Sequence, residues 1–90
     1  MKLDFDPDKR KKTLTERGLD FADATRIFEG RHFTAEDLRE EYYEQRFITV
    51  GKLDDRMLVL VWTPRDKTRR IISMRKANER EQTHYGHLLD

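Results

Sequence analysis

The sequence predicts a small α+β domain: a small antiparallel sheet, made of a three-strand meander plus short N-terminal strands, with two N-terminal helices and one C-terminal helix. Three apolar or β-branched runs succeed one another within residues 46–74, separated by turn-forming residues at 54–55 and 64–67. Apolar residues recur at helical spacing before these runs, and a polar helical pattern follows them. Ninety residues leave room for one hydrophobic core, so residues 1–90 are predicted to form a single domain.

The chain begins with signals for a strand and an exposed helix. Leu3 and Phe5 alternate with polar residues, which is typical of a short edge strand. Asp6 is suited to cap a helix, and Pro7 is favoured at the first helical position. Gly18 stands where a left-handed residue ends a helix. The interior of this helix is strongly charged, so we expect it to lie largely on the surface.

The middle and end of the chain complete the pattern. A second helix begins at Asp20 and ends at Gly30, while residues 31–44 are predicted to be mostly loop. The continuous apolar run Met57–Trp62 predicts a central strand that is covered on both faces. The predicted strands span 2–5, 32–34, 46–52, 57–63 and 69–74, and the predicted helices span 7–17, 20–30 and 77–88.

Alternation along the last strand predicts which of its side chains share a face. Strict alternation groups Ile71 with Ser73 and Arg75, and Arg70 with Ile72 and Met74. Ile72 and Met74 are the larger apolar pair, so their face is predicted to be the core. Ser73 and Arg75 are then expected on the more open face.

The composition excludes several classes of protein. The longest apolar run has six residues, whereas about 20 are needed to span a bilayer. We expect no membrane segment and, because the N-terminus has no apolar signal region, a cytoplasmic location. The absence of cysteine and the three scattered histidines predict neither a disulfide nor a metal site, and no cofactor is expected.

The charges are sorted along the chain, although the net charge is only +1. Residues 1–17 carry a net charge of +2, residues 18–45 of −5 and residues 46–90 of +4. An acidic middle is suited to another protein, and a cationic second half is suited to a polyanion.

A cationic cluster in the second half suggests phosphate chemistry. It comprises Arg65, Lys67, Arg69, Arg70, Arg75 and Lys76. The planar guanidinium group forms paired, charge-assisted hydrogen bonds with phosphate oxygens. The alternative is that these arginines make surface ion pairs with Glu79 or Glu81.

Three further residues are candidates for the same chemistry. Glu44 and Arg46 stand two apart at the start of a strand, where they are suited to act as a base and a phosphate ligand. They also fit an ordinary ion pair. Lys9 reaches the site only if the first helix packs over the open face of the sheet, and is otherwise solvated.

The chain resembles the BrnT toxins over nearly its whole length. The resemblance is carried by FDPDK at 5–9, RFITVG at 46–51 and, most specifically, RIISMRKA at 70–77. It implies a RelE-like fold and a ribonuclease toxin of a type II toxin–antitoxin module that arrests translation. It also implies a hetero-oligomer with a neutralising BrnA-type antitoxin, through which alone the toxin would contact operator DNA. Phe5 and the pair Glu16-Arg17 depart from the family pattern.

The resemblance to RelE-like enzymes implies metal-independent RNA cleavage, in which the ribose 2′-hydroxyl attacks the adjacent phosphorus. Arg75 and Arg65 are then the expected transition-state stabilisers and Glu44 the expected base. Arg46, Lys9 and Arg70 are the expected substrate-binding residues. The alternative is a catalytically degenerate homologue that acts as a protein- or nucleic-acid-binding module.

Overall fold

The computed structural model describes residues 2–89. Its elements are β1 (Lys2–Phe5), α1 (Pro7–Arg17), a 3-10 turn (Phe21–Asp23) that continues as α2 (Ala24–Glu29), β2 (His32–Glu36), β3 (Phe47–Leu53), β4 (Arg56–Arg65), β5 (Thr68–Lys76) and α3 (Glu79–Leu89). The α+β class is confirmed. β2, β4 and β5 are each longer than predicted.

The five strands form one mixed sheet in the order β1-β5-β4-β3-β2. The β2–β3, β3–β4 and β4–β5 pairs are antiparallel, whereas β1 pairs with β5 in parallel. The prediction of an antiparallel sheet was therefore wrong for β1. No hairpin joins β1 to β5, since most of the chain lies between them, so no tight turn imposes an antiparallel pairing.

β5 contains a β-bulge at Ile72. The neighbouring β4 residues 61–62 pair with Ser73 and Ile71, so Ile72 is an extra residue on β5. The bulge shifts the alternation by one residue, and Ile71 and Met74 consequently lie in the same buried cluster. The prediction that Ile72 and Met74 form the core pair was wrong, because the bulge leaves Ile72 only half-buried.

The sheet separates two buried clusters, which we call the α2 face and the α3 face after the helices that cover them. The α2 face contains Leu19, Phe21, Ala24, Ile27, Leu53, Leu58, Leu60, Trp62, Ile71 and Met74. The α3 face contains Val50, Met57, Val59, Ala77 and Leu89, with Ile48 and Tyr85 packed against them. β4 contributes to both clusters and is the central strand, as its continuous apolar run predicts.

α1 lies beside the part of β5 that β1 leaves unpaired, and it has no buried residue. Asp6 caps it and Gly18 ends it in the left-handed conformation, with φ of 69°, as predicted. β1 pairs with β5 only as far as Ile71, and beyond that point Arg17 of α1 donates to the Met74 carbonyl oxygen at 2.9 Å. Among the described helices, none has the length and apolarity needed to cross a membrane.

Candidate functional site

Three arginines of β4 and β5 share the α3 face. Arg70 pairs with Thr63, which stands two residues before Arg65 on β4, so both arginines lie on one side of the sheet. Arg75 pairs with Val59, a member of the α3-face cluster. Strict alternation predicts Arg70 and Arg75 on opposite faces, and the bulge between them is why that prediction was wrong. We call Arg65, Arg70 and Arg75 the arginine row.

Arg75 is held by the first turn of α3. Its two terminal nitrogens donate to the two carboxylate oxygens of Glu81 at 2.7 and 2.8 Å. Glu81 also closes a capping box, because it accepts from the Asn78 backbone N–H and donates its own N–H to the Asn78 side chain. The Arg75 hydrogen bonds lower the pKa of Glu81 from 4.5 to about 2. The ion pair anticipated as an alternative for the arginine cluster is thus present at Arg75.

The rest of the arginine row is linked to two carboxylates. Arg70 donates to Asp4 of β1 at 2.6 Å, and Arg65 donates to Glu44 at 3.2 Å. The pKa of Asp4 is lowered chiefly by its hydrogen bond with Arg70, with a smaller contribution from the charge of Arg65. These four side chains therefore form one continuous group of charges. Glu44 lies in the loop before β3 and pairs with Arg65, whereas its sequence spacing suggested Arg46 as the partner.

Arg46 follows Gln45, whose carbonyl oxygen accepts from Thr63, the β4 residue that pairs with Arg70. An aromatic ring positions the Arg46 side chain. Its guanidinium carbon lies 4.2 Å from the centre of the Tyr42 ring, within the range of a cation–π interaction. Among the residues that the structure describes, the buried Nε atom of Arg46 has no hydrogen-bond partner. That atom is out of reach of a ligand, whereas the terminal nitrogens of Arg46, which make no hydrogen bond within the described residues, remain for a bound anion.

A buried carboxylate organises the loop that carries Tyr42 and Arg46. The Asp37 side chain is 0% exposed and accepts from Nε and Nη2 of Arg39 at 2.8 and 2.7 Å and from the Tyr42 hydroxyl at 3.1 Å. The Asp37 backbone N–H donates to the Arg46 carbonyl oxygen at 2.8 Å. These bonds, led by that from Arg39, lower the pKa of Asp37 from 3.8 to about 2.

Sequence reasoning missed Asp37 and Arg39 because their segment carries no regular apolar pattern. The spacing of two residues between the carboxylate and the guanidinium was the only available signal, and it is common on solvated loops. Burial of Asp37 depends on how the loop packs against the end of β3, which local sequence does not encode.

Two other cations that the sequence suggested, Arg69 of the cluster and Lys9 of α1, lie outside the arginine row. Arg69 lies on the α2 face, with its guanidinium carbon 3.9 Å from the centre of the Phe28 ring. Lys9 lines a cavity of about 290 Å³ between α1 and β5, together with Ile72 and Ser73. Lys9 is therefore beside the bulge, at the edge of the sheet, while the arginine row lies on its α3 face. Within residues 2–89, no group of three or more histidine, aspartate or glutamate side chains is arranged to hold a metal ion.

The arrangement is suited to a phosphodiester. Arg65 and Arg70 each use one terminal nitrogen for a carboxylate, which leaves other N–H groups of each fork for phosphate oxygens. Glu44, in contact with Arg65, places a proton acceptor at the same location. Guanidinium groups that are already positioned stabilise charge developing on phosphoryl oxygens without reorganising.

Comparison with known proteins gives one family. The sequence model of the family described as "Ribonuclease toxin, BrnT, of type II toxin-antitoxin system" matches residues 5–81. That span contains the arginine row, Arg46 and the first turn of α3. No curated protein matches the sequence.

Proposed function

Because the chain belongs to the BrnT family of ribonuclease toxins of type II toxin–antitoxin systems, we propose that its α3 face is the site of a metal-independent endoribonuclease. The proposed substrate is RNA, cleaved by attack of a ribose 2′-hydroxyl on the adjacent phosphorus. Breaking of the bond to the 5′-oxygen leaves a cyclic phosphate on one fragment and a 5′-hydroxyl on the other. Cleavage of RNA in this way would inhibit translation.

The observation that carries the proposal is the placement of the whole arginine row on one face of the sheet. Arg65, Arg70 and Arg75 come from two paired strands, and the bulge in β5 aligns them. Bulges commonly redirect side chains at active sites. Three fixed cations on an open sheet supply the charge stabilisation that phosphoryl transfer requires.

We assign each residue one role in this scheme. Arg75 and Arg65 stabilise the charge on the phosphoryl oxygens in the transition state. Glu44, held by Arg65, accepts the proton of the attacking 2′-hydroxyl. Arg70 and Arg46 bind the RNA backbone.

Lys9 is assigned to substrate binding from the edge of the sheet. It lies on α1, beside the bulge, so a strand of RNA crossing the arginine row towards α1 would pass it. Its ammonium group then contacts a phosphate as a point charge.

Arg75 changes partner during binding in this scheme. Glu81 occupies both of its terminal nitrogens, so a phosphate must replace at least one carboxylate oxygen. Phosphate offers the same planar fork two acceptors of similar spacing. Glu81 thus keeps the Arg75 guanidinium oriented until RNA arrives.

The proposed partner is a BrnA-type antitoxin that forms a hetero-oligomer with the toxin and covers the arginine row. The toxin would then approach operator DNA only through that antitoxin. We expect the complex to cleave RNA more slowly than the free toxin, and equal rates would contradict coverage of this face.

The test compares the wild-type protein with Arg75→Ala on an RNA transcript, with and without EDTA. Removing one transition-state donor is expected to reduce the cleavage rate by about 100-fold to 1,000-fold, and EDTA is expected to change neither rate. Arg56→Ala is the matched control, because Arg56 is an exposed arginine at the opposite end of β4 from Arg65. Equal cleavage by wild type and Arg75→Ala, or loss of cleavage on chelation, would contradict the mechanism.

One observation favours a second candidate, a catalytically degenerate homologue that only binds protein or nucleic acid. Every member of the arginine row is already paired with a carboxylate, from Glu81, Glu44 or Asp4. Such a module would bind RNA with strong salt dependence and leave it intact. Induced expression distinguishes the two, since growth arrest supports the toxin and harmless expression supports the binding module.

A further inference from the structure

We infer that Arg39 and Arg46 form a second phosphate-binding subsite beside the arginine row, which holds an RNA phosphate next to the one that is cleaved. This inference rests on the proposed function, because it assumes that RNA lies on the α3 face. It adds Arg39 to the residues that contact RNA, and it gives the buried Asp37 a positioning role.

Arg46 supplies the first half of the subsite. The guanidinium carbon of Arg46 lies 4.2 Å from the centre of the Tyr42 ring, so this ring orients the side chain and no carboxylate is needed. Its Nε atom is buried and out of reach of a ligand, but the half-buried side chain makes no hydrogen bond within residues 2–89, so its terminal nitrogens remain for an anion. A guanidinium group that is both held in place and short of acceptors binds an anion with little loss of side-chain entropy.

Arg39 supplies the second half. Asp37 accepts from its Nε and Nη2 atoms, which leaves Nη1 for a ligand, and the Arg39 side chain is 61% exposed. The carboxylate itself is inaccessible, at 0% exposure. An approaching phosphate therefore meets the cation and not the anion.

The two halves belong to one unit that adjoins the arginine row. Tyr42 joins them, because its hydroxyl donates to Asp37 and its ring contacts Arg46. The Gln45 carbonyl oxygen, next to Arg46 in the chain, accepts from the Thr63 hydroxyl at 2.7 Å, and Thr63 pairs with Arg70 of the arginine row. The positive charge of Arg39 also opposes, by repulsion, the rise that Glu81 causes in the pKa of Arg75. Two neighbouring cations that repel each other gain stability when phosphates lie between and beside them.

The test measures binding of RNA that is unable to react. The probes are a 2′-O-methyl dinucleotide with one phosphate and a 2′-O-methyl hexanucleotide, both of which lack the attacking hydroxyl. The dinucleotide offers a single phosphate, which occupies one position at the arginine row, whereas the longer probe also reaches the second subsite. Dissociation constants are measured over a range of salt concentrations.

The principal variant is Asp37→Asn combined with Arg39→Gln. It leaves the net charge unchanged and leaves no buried charge without a partner. Arg46→Gln is an independent second variant, because loss of the Arg46 guanidinium group leaves no carboxylate without a partner. Arg26→Gln is the matched control, because Arg26 pairs with Asp54 on an exposed surface away from the α3 face.

We expect the double variant and Arg46→Gln each to weaken hexanucleotide binding by at least about tenfold, as loss of a charge-assisted hydrogen bond does. The slope of log affinity against log salt should become shallower by about 0.7 for each phosphate that the variant no longer neutralises. Dinucleotide binding by the double variant should be unchanged, and Arg26→Gln should match the wild type with both probes. Circular dichroism verifies that each variant is folded.

Several results would overturn the subsite. Wild-type affinity and salt slope in both variants would show that no phosphate is bound there. An equal loss of affinity for the dinucleotide and the hexanucleotide would place the effect at the arginine row. If the wild type binds neither probe, the proposed function fails together with the subsite. If the wild type cleaves RNA and both variants cleave it at the same rate, only the subsite is refuted.

Discussion

Replacement of Asp37 by asparagine tests the buried network that supports the loop. Its carboxylate is fully buried and accepts four hydrogen bonds, two from the Arg39 guanidinium, one from the Arg39 backbone N–H and one from Tyr42. Asparagine keeps the shape of the side chain. It removes the charge and turns an NH₂ group towards groups that donate hydrogen bonds. We therefore expect Asp37→Asn to destabilise the protein.

The magnitude follows from the pKa of Asp37, which folding lowers from 3.8 to about 2. One pKa unit corresponds to about 1.4 kcal/mol, so the carboxylate contributes about 2 kcal/mol to the free energy of unfolding at pH 7. Because the folded-state pKa is the lower one, this contribution is complete above the unfolded-state value. It is lost as the pH falls through about 4 towards the folded-state pKa of about 2.

The assay is urea unfolding of wild type and Asp37→Asn at pH 7 and at pH 2.5, followed by circular dichroism. We expect a difference of about 2 kcal/mol at pH 7, equivalent to about 8–16 °C in Tm for a domain of this size, and a much smaller difference at pH 2.5. Asp55→Asn, at an exposed turn residue, is the control and should stay within about 0.5 kcal/mol of the wild type. A difference that is negligible at pH 7, or equally large at both pH values, would refute the reasoning.

Two further predictions concern stability. Glu81→Gln should lower the free energy of unfolding at pH 7 by about 1–2 kcal/mol, allowing for the partial exposure of Arg75. Folding lowers the pKa of Glu81 from 4.5 to about 2, so the carboxylate contributes fully to the free energy of unfolding above pH 4.5 and loses that contribution as the pH falls to about 2. If Glu81→Gln still lowered the free energy of unfolding by the same amount at pH 2, the ion pair with Arg75 would not be its cause. Gly51→Ala places a Cβ 2.5 Å from the Ile27 side chain and should cost about 1–3 kcal/mol. The Cβ of Gly86→Ala meets no atom within 4 Å, and this substitution should stabilise α3 by about 0.5–1 kcal/mol. Thermal melts that show equal effects for the two substitutions would contradict the close packing of Ile27 against Gly51.

Much of the secondary structure was predictable because it depends on neighbouring residues. Asp6, Pro7 and Gly18 mark the ends of α1 through backbone hydrogen bonds and allowed dihedral angles, which act over one turn of helix. The apolar run of β4 predicted a central strand because burial on both faces leaves no polar positions. The parallel pairing of β1 with β5 was not predictable in this way, since the two strands are distant in sequence.

The sequence named the charged residues of the candidate site but not their arrangement, and their roles remain a prediction. Arg65 contacts Glu44, and Arg70 contacts Asp4. Arg75 lies on the same face of the sheet because of a register shift that alternation does not reveal. Asp37 was missed because its burial depends on packing of a loop without periodicity.

The sequence by itself determined the class of the domain, the positions of most helices and strands, and the concentration of arginines in the second half of the chain. These properties arise from local preferences and hydrophobic periodicity, which each segment carries alone. The tertiary structure decided which arginines share a face of the sheet. Packing of Ile71 and Met74 into one core requires an extra residue between them, and the resulting bulge turns Arg70 and Arg75 to the same face. That arrangement depends on contacts between distant strands, so it exists only once the sheet has formed.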